Sequence, residues 1–334
     1  MKKSFVLIIL TVMLASVLSA CGASNANKSG GATTAQAEAA TNAPTVAPTE
    51  APSAPAEMTI KHELGTATVK TNPAKVVVFD YGVLDTLDKL GIEVAAVPQE
   101  SLPEYLAKYK DGKYENAGTL FEPDFEKLNA LKPDVIFIGG RTSEAYGELN
   151  KIAPTILMSV DYANYEQSFA ANLTIIGQAF GEDTEAAKEL AAIQAASADL
   201  NAKAANAGKT LILLTTGGKM SAFGPGSRFG VIHDVFGFVP ADAAIESDTH
   251  GQSVSNEYVL EKNPDILFVV DRDAVAGGEG AQPAKQVIEN DLIKQTNAFK
   301  NNKIFYLDPG YWYLSGGGLI SGTEMINEAA KAVE

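Results

Sequence analysis

Cysteine, histidine, tryptophan and arginine are all scarce in this chain. Its 334 residues include one cysteine, three histidines and one tryptophan. A single cysteine excludes an intrachain disulfide bond. The three histidines, at positions 62, 233 and 250, are too far apart in sequence to favour a copper or zinc site built from clustered ligands. The formal net charge of −15 argues against nucleic-acid binding, which needs a basic face.

The motifs of common enzyme families are also missing from the sequence. It contains no G-x-S-x-G elbow, no H-E-x-x-H and no G-x-G-x-x-G after a predicted strand. The stretch "AGKT" (Ala207–Thr210) looks like part of a phosphate-binding loop, but it precedes a strand instead of following one. A secreted enzyme is therefore the less favoured alternative, and an adhesive or sensory lipoprotein is a further one.

The N-terminal segment is typical of an exported lipoprotein. Two lysines precede an apolar run from Phe5 to Leu18, which is too short to span a membrane but fits a signal peptide. The run ends in "LSAC", which resembles a bacterial lipobox, whereas an ordinary secretory signal is the alternative. We predict a signal peptide over residues 1–20 and lipidation of Cys21. The protein is then anchored to the outer face of a Gram-positive type of membrane, or is a periplasmic lipoprotein.

Composition divides the remaining chain into a tether and a folded part. Residues 21–57 are rich in Ala, Thr and Pro and hold too little apolar side chain to form a core, which predicts a disordered tether. The length of the chain and its 46% hydrophobic content indicate two domains beyond the tether. We predict an N-terminal α/β lobe over residues 58–182, a connecting helix over 183–207 and a C-terminal α/β lobe over 208–334.

The fold class follows from alternating apolar strands and helices. "KVVVFD", "VIFIGG", "KTLILLTT" and "ILFVV" have the β-branched character of buried parallel strands, and helical apolar spacing lies between them. The alanine-rich stretch from Thr184 to about Asn206 predicts a helix of about 35 Å. The predicted architecture is two Rossmann-like lobes joined by this single long helix, with a ligand cleft between the lobes.

Two segments separated by 131 residues repeat one pattern. Glu126 lies fifteen residues before Arg141, and Glu257 lies fifteen residues before Arg272. In both segments a Pro-Asp pair ends a helix and an apolar strand follows. Pro-Asp is a common junction between a helix and a strand, but this does not explain a glutamate and an arginine at equal offsets. We interpret the repeat as a duplicated lobe.

The three arginines of the chain are candidate ligands for an anion. Arg141 and Arg272 follow predicted strands, and ligands collect at the carboxyl ends of such strands. Arg228 lies in the glycine-rich loop "FGPGSRFG", which runs into a predicted helix. Arginine stays charged and stacks on aromatic rings. Structural ion pairs are the alternative for each arginine, but the set predicts an anion site in the cleft.

A histidine and an aromatic stretch are further candidates for the same cleft. His250 lies in the polar loop "SDTHGQSVS", and Tyr311 opens "YWYLSGGG". An imidazole and a phenolate suit Fe(III) with open coordination positions. A surface histidine and a core tyrosine are the alternatives. Trp312 and Tyr313 are candidates for the wall of the cleft.

These features together resemble the class III substrate-binding proteins of ABC importers. The resemblance rests on the lipobox, the repeated Glu…Pro-Asp units, the alanine-rich helix and "DPGYWYLSGGG", and it extends from about Met58 to Glu334. It is strongest to the branch that binds ferric catecholate siderophores, petrobactin-binding proteins included. The resemblance implies a binding protein that is not an enzyme and has no intrinsic cofactor. Its transported ligand is a ferric siderophore, and its partners are an ABC permease and ATPase. We expect a monomer.

The resemblance also implies residue roles. The three arginines surround the ferric catecholate, and His250 and Tyr311 complete the coordination of an iron whose siderophore supplies four oxygens. Glu126 and Glu257 dock on the permease. Ferric citrate, haem, a cobalamin or a hydroxamate complex are the alternative ligands within the class. A neutral hydroxamate complex has little need of three arginines, whereas ferric citrate is anionic, as a ferric catecholate is.

Overall fold

The computed structural model describes residues 56–278 and 280–334 of the chain. The predicted signal peptide, Cys21 and most of the predicted tether lie outside these residues. The first strand begins at Glu57, the last residue assigned to the tether. Within the described residues, no helix has both the length and the apolar character that crossing a membrane requires.

The first sheet consists of five parallel strands in the spatial order β5-β4-β3-β6-β7. These strands are β3 (Val76–Phe79), β4 (Ala96–Val97), β5 (Glu115–Asn116), β6 (Val135–Ile138) and β7 (Thr155–Leu157). An antiparallel hairpin precedes the sheet and consists of β1 (Glu57–His62) and β2 (Gly65–Lys70). The strands predicted from "KVVVFD" and "VIFIGG" are confirmed as β3 and β6.

The second sheet has six strands, which are β8 (Lys209–Thr216), β9 (Lys219–Phe223), β10 (Val239–Pro240), β11 (Gln252–Val254), β12 (Ile266–Asp271) and β13 (Ile304–Leu307). Their order is β11-β9-β8-β12-β13, and β10 also pairs with β8. Strand β9 is antiparallel to β8 because Gly217 (φ 53°) and Gly218 (φ 73°) form a tight hairpin turn. The sheet is therefore mixed, whereas β8, β12 and β13 are parallel as the sequence indicates.

The described residues contain α-helices α1 (Tyr81–Lys89), α2 (Phe125–Leu131), α3 (Tyr146–Ile152), α4 (Tyr165–Phe180), α5 (Asp183–Ala204), α6 (Val231–Asp234), α7 (Asn256–Lys262), α8 (Asp273–Ala276), α9 (Ala284–Ile288), α10 (Asn297–Lys300) and α11 (Leu319–Ala330). The alanine-rich stretch forms α5, whose 22 residues span about 33 Å. It packs against α4 and α11. The α/β class is confirmed, whereas the lobe boundaries and the role of α5 as the single connection stay predictions.

Helices cover both faces of each sheet. Along β3, Val76 and Val78 belong to one apolar cluster, whereas Val77 and Phe79 belong to another. The same alternation occurs along β12, whose successive side chains also enter two different clusters. Successive side chains of a strand point to opposite faces, so both sheets are buried on both sides. This is why these strands are apolar throughout.

The repeated segments have matching local structures. Helices α2 and α7 each contain seven residues, and a residue with left-handed backbone follows each of them, Lys132 (φ 52°) after α2 and Asn263 (φ 41°) after α7. Glu126 and Glu257 are the second residues of these helices, and both are exposed. The strands that follow, β6 and β12, occupy equivalent places beside β3 and β8.

The aspartates of the two Pro-Asp pairs have the same structural role. The Oδ2 atom of Asp134 accepts a hydrogen bond from the backbone N–H of Lys75 at 2.8 Å. The Oδ2 atom of Asp265 accepts one from the backbone N–H of Lys209 at 2.9 Å. Each carboxylate therefore fixes the start of the neighbouring strand, which explains why Asp recurs after Pro in both lobes.

A buried carboxylate on α1 joins the first lobe to the last helix. Asp85 is 0% exposed and accepts hydrogen bonds from the backbone N–H groups of Ile320 at 3.2 Å and Ser321 at 3.0 Å. The hydroxyl of Tyr105 donates to it at 3.0 Å. A Cβ atom at Gly318 would lie 1.8 Å from Asp85 Oδ1, so only glycine fits there. Because α11 packs into the C-terminal core, Asp85 ties the two lobes together.

We predict that Asp85→Asn destabilises the fold by about 2–4 kcal/mol, because an amide cannot accept hydrogen bonds from both backbone N–H groups. Burial raises the pKa of Asp85 to about 7, although hydrogen bonds from Ser321, Tyr105 and Ile320 oppose that shift. A raised acid pKa stabilises the fold most below pH 4, and this contribution is lost as the pH approaches 7. The stability gap between wild type and variant should therefore shrink from pH 4 to pH 7 in denaturant titrations.

The control variant for this experiment is Asp199→Asn. Its carboxylate forms an exposed ion pair with Lys203 on α5, so we expect a change within about 0.5 kcal/mol. An Asp85→Asn variant as stable as Asp199→Asn, at every pH, would contradict a role for Asp85 in joining the lobes.

Candidate functional site

The three arginines converge on one residue, Tyr313. Its ring centroid lies 4.2 Å from the guanidinium carbon of Arg228, 5.3 Å from that of Arg141 and 5.7 Å from that of Arg272. Arg141 follows β6, Arg228 lies in the turn after β9, and Arg272 follows β12. The two lobes therefore supply guanidinium groups to a single phenol ring.

Hydrogen bonds hold the same cluster together. The backbone carbonyl of Tyr313 accepts from Nη2 of Arg141 at 2.6 Å and from Nη2 of Arg228 at 2.8 Å. The Nε atom of Arg272 donates to the Tyr313 hydroxyl at 2.9 Å, and its Nη1 atom donates to Thr216 at 3.1 Å. Arg141 belongs to the first lobe, so its contact with Tyr313 also crosses between the lobes.

None of the arginines has a carboxylate partner among the described residues. All the ion pairs within 4.0 Å in this part of the chain use lysine. The structure therefore does not contain the ion pairs that were the alternative explanation for the arginines. Guanidinium groups stay charged in proteins, so the cluster carries positive charge that no ion pair of the described residues neutralises.

This charge changes the acidity of the phenol. Burial alone would raise the pKa of Tyr313, but the hydrogen bond from Arg272 and the three guanidinium charges together lower it below its usual value. Burial also lowers the pKa of Arg228, and the charge of Arg141 adds to that effect. Tyr313 thus loses its proton more readily than an exposed tyrosine.

A cavity of about 460 Å³ opens beside the cluster, which is a size typical of small-molecule sites. Arg141, Arg228 and Tyr313 line it, together with Ser315 and the glycines at positions 316 and 317. Arg272 is not among the described lining residues and meets the cavity only through the Tyr313 hydroxyl. Two guanidinium groups therefore face the cavity directly, and the third acts on it through the phenol.

Asp80 is the one carboxylate among the described lining residues. Its Oδ1 atom accepts from the backbone N–H groups of Gly82 at 2.9 Å and Val83 at 3.0 Å, so it caps helix α1. Burial raises the pKa of Asp80, while these hydrogen bonds and the charge of Arg141 oppose the shift. The lining thus carries two guanidinium groups and one carboxyl group, which favours an anionic ligand.

Two aromatic residues of the lining, Tyr162 and Phe121, are not among the site residues predicted from the sequence. Tyr162 lies in a short turn in which the Asp161 side chain accepts a hydrogen bond from the backbone N–H of Ala163. Phe121 lies in the loop before α2 and is 68% exposed. Neither follows a strand or belongs to an apolar repeat, so periodicity carries no signal for them. The Asp161 capping pattern is the one local signal that could have marked a turn near Tyr162.

Tyr311 does not join the arginines. It lines a neighbouring cavity of about 520 Å³, and its ring lies 4.7 Å from that of Tyr105. Residues 310–314 form a single helical turn, and residues two apart on such a turn point in different directions. The tyrosine that meets the arginines is consequently Tyr313, two residues beyond the predicted position.

Trp312 borders the cavity, but its side chain belongs to the C-terminal core. The residue is 2% exposed, and its ring packs edge-on against Phe236 at 6.4 Å. The indole Nε1 donates to the Glu328 carboxylate at 2.8 Å. The indole therefore has a structural partner and offers little surface to a ligand.

The structure brings His250 to the same cavity as the arginines. His250 and Thr249 are exposed and lie on the loop before β11, which contributes to the lining. The other histidines lie elsewhere, with His62 against Tyr146 and His233 Nδ1 2.8 Å from the carbonyl of Phe238. Over residues 56–278 and 280–334, no group of three His, Cys, Asp or Glu side chains is arranged to hold a metal ion.

The fold and this interlobe cavity define the class of the protein. Residues 76–311 match the family model described as "Periplasmic binding protein", which is more than half of the chain. The chain belongs to this family, and within it to the class III, siderophore-type substrate-binding proteins of ABC importers. It is a binding protein, as its relatives are, and not an enzyme.

Individual relatives agree with this class. The chain is 46% identical over 338 residues to the petrobactin-binding protein YclQ of Bacillus subtilis, covering 99% of both chains. The crystal structure of YclQ matches with a TM-score of 0.81 and 49% identity, covering 84% of this chain and 99% of that one. The crystal structure of the catecholate-siderophore binding protein VctP of Vibrio cholerae matches with a TM-score of 0.78 and 37% identity, and the match covers 83% of this chain and 100% of VctP. The ferric-anguibactin-binding protein FatB of Vibrio anguillarum is 32% identical, and the match covers 83% of this chain and 88% of FatB.

The acidity of Tyr313 is directly measurable. We predict that a difference titration of phenolate absorbance between wild type and Tyr313→Phe shows one tyrosine that ionises below pH 10, and that Arg272→Gln raises this pKa. The matched control is Tyr311→Phe, which removes a tyrosine whose pKa burial raises. If Tyr313→Phe removed a group that titrates no earlier than the one lost in Tyr311→Phe, the electrostatic description of the cluster would be wrong.

Proposed function

We propose that this protein captures an anionic ferric catecholate siderophore of the petrobactin type in the cavity beside Tyr313 and delivers it to an ABC permease. The observation that carries the proposal is the convergence on one phenol ring of three guanidinium groups that have no carboxylate partner among the described residues. A phenol is chemically close to a catechol, so the cluster already accommodates an aromatic ring with an oxygen. The printed names of YclQ and VctP support the same ligand class.

Arginine suits such a ligand better than lysine. A ferric catecholate complex is a compact polyanion with aromatic faces. A guanidinium group offers charge, directed hydrogen bonds and a flat surface for stacking at the same time. The formal net charge of the whole chain is −15, so a positive cavity concentrates the field on an incoming anion.

Two side chains complete the iron coordination in this proposal. His250 keeps the role that the sequence suggests, because it lines the same cavity as Tyr313. Tyr313 takes the role that was predicted for Tyr311, because the pKa of Tyr313 is lowered and its ring lies among the arginines. A phenolate and an imidazole suit an Fe(III) centre whose siderophore leaves positions open. The iron arrives with the siderophore as cargo.

Ferric citrate is the second candidate, because the same guanidinium groups would bind its carboxylates. The aromatic lining favours the catecholate. Tyr313, Tyr162 and Phe121 give the cavity three aromatic side chains, for which an aliphatic chelate has no use. We therefore place ferric citrate second.

The arginines provide the test of the site. We predict that Arg228→Ala and Arg272→Ala each weaken binding of a ferric bis-catecholate by at least about tenfold, because each loses hydrogen bonds to a charged ligand or to the phenol beside it. Titration by quenching of the Trp312 fluorescence measures this. Lys151→Ala, which removes an exposed lysine paired with Glu148, is the control and should bind as the wild type does. Wild-type affinity in both arginine variants would refute the site.

We further propose how the protein is placed in the cell. Cys21 is lipidated, and the tether holds the monomeric binding domain at the outer face of a Gram-positive type of membrane. Glu126 and Glu257 dock on the permease, one from each lobe. In support, both glutamates are exposed second residues of matching helices, and neither lines the cavity.

Docking and binding should separate in experiments. We predict that Glu126→Ala and Glu257→Ala lower uptake of the iron-loaded siderophore in cells severalfold and leave the affinity of the purified protein for it unchanged. Glu148→Ala is the control, since Glu148 is also exposed and lies on α3 of the first lobe. Equal uptake in all three variants would contradict a docking role for Glu126 and Glu257. A loss of affinity in the purified protein would mean that these glutamates act in ligand binding and not in docking.

A further inference from the structure

Phe121 is unusually exposed for a large apolar side chain. It is 68% exposed, whereas the other exposed large hydrophobic residues of the described chain range from 37% to 43%. It is also one of the residues that line the cavity beside Tyr313. An isolated apolar side chain on a surface needs no explanation, but one that projects into a ligand cavity is positioned to contact what binds there.

The loop that carries Phe121 is held in place by several hydrogen bonds. The Thr119 hydroxyl oxygen accepts from the backbone N–H of Phe121 at 3.2 Å and from that of Glu122 at 2.9 Å. The neighbouring Leu120 is buried, and its carbonyl accepts from the Thr142 hydroxyl at 2.6 Å. Leu120 therefore anchors the loop beside Arg141, and the turn at Thr119 directs Phe121 outward. Its exposure is fixed by the local structure and does not result from a loose loop.

The chemistry of the lining differs between its parts. Arg141 and Arg228 supply charge beside Tyr313, whereas Thr249 and His250 supply polar groups from the second lobe. When the oxygens of an aryl chelate point at the guanidinium groups, its rings extend away from them and stay in water unless something apolar covers them. Among the described lining residues, Phe121 is the apolar side chain with the largest exposed fraction, so it has the most free surface for this contact.

We propose that Phe121 packs against an aromatic ring of the bound chelate and sets the preference of the site for aryl over aliphatic ferric chelates. The inference rests on the proposed function and adds the residue that selects the ligand. Aromatic pairs gain free energy from ring contact in addition to the area that they bury. An aliphatic carboxylate chelate offers no ring, so it gains nothing from Phe121.

The test compares two ligands and three variants. Phe121→Ala should weaken binding of a ferric bis-catecholate by about tenfold and change binding of ferric citrate by less than about twofold. Phe121→Leu keeps apolar volume and should fall between wild type and Phe121→Ala. Phe125→Ala is the matched control, because Phe125 is 37% exposed nearby but does not line the cavity. Equal losses for both ligands, or no loss for the catecholate, would overturn the proposal.

A second readout reports contact independently of affinity. With fluorinated phenylalanine in the protein, the ¹⁹F resonance that disappears in Phe121→Leu identifies Phe121. We expect it to shift when a diamagnetic gallium bis-catecholate binds, while the resonance of Phe125 stays in place. An unmoved Phe121 resonance in a saturated complex contradicts ring contact and leaves the proposed function intact. A wild-type protein that binds no catecholate would overturn both proposals.

Discussion

Repulsion between three like charges is the constraint on which the site depends. Guanidinium groups from both lobes lie within 6 Å of one ring, and no described carboxylate pairs with them. Such an arrangement tends to push the lobes apart. Two features oppose this tendency. The carbonyl and the phenol of Tyr313 accept hydrogen bonds from the arginines, and the buried Asp85 on α1 accepts hydrogen bonds from the backbone of α11. The structure thus maintains a positive cavity that a polyanion can neutralise.

The duplicated helix–strand unit places the components of this site. In each lobe the aspartate after proline fixes the start of the neighbouring strand, β3 or β8. An arginine follows the strand of the repeated unit itself, β6 or β12. The glutamate at the start of each unit is exposed and lies outside the cavity lining. The repeated unit therefore supplies, in each lobe, one arginine of the cluster around Tyr313 and one exposed glutamate. The unrepeated parts, Arg228 and Tyr313, belong to the second lobe and make the cavity specific.

Much of the fold was predictable, because buried strands and capped helices leave periodic signals. The strands β3, β6, β8 and β12 and the long helix α5 all fall where the apolar pattern places them. The local geometry of the site was harder to predict from the sequence. A helical turn over residues 310–314 decides that Tyr313, and not Tyr311, meets the arginines, and no period in the sequence encodes that rotation. Phe121 and Tyr162 lie in turns fixed by side-chain caps, so only the folded chain brings them to the cavity.

The most direct test is a titration of the wild-type protein with a panel of iron complexes, in which the fluorescence of Trp312 reports binding. The panel holds a ferric bis-catecholate, a mixed catecholate–citrate chelate of the petrobactin type, ferric citrate and a neutral ferric hydroxamate, with haem and a cobalamin as controls corrected for their own absorbance. A cavity whose ligand is held by arginines should give saturable quenching by the two anionic catecholates at the lowest concentrations, and added salt should weaken this binding because charge drives the encounter. Saturation by the neutral hydroxamate with silent catecholates would contradict this prediction.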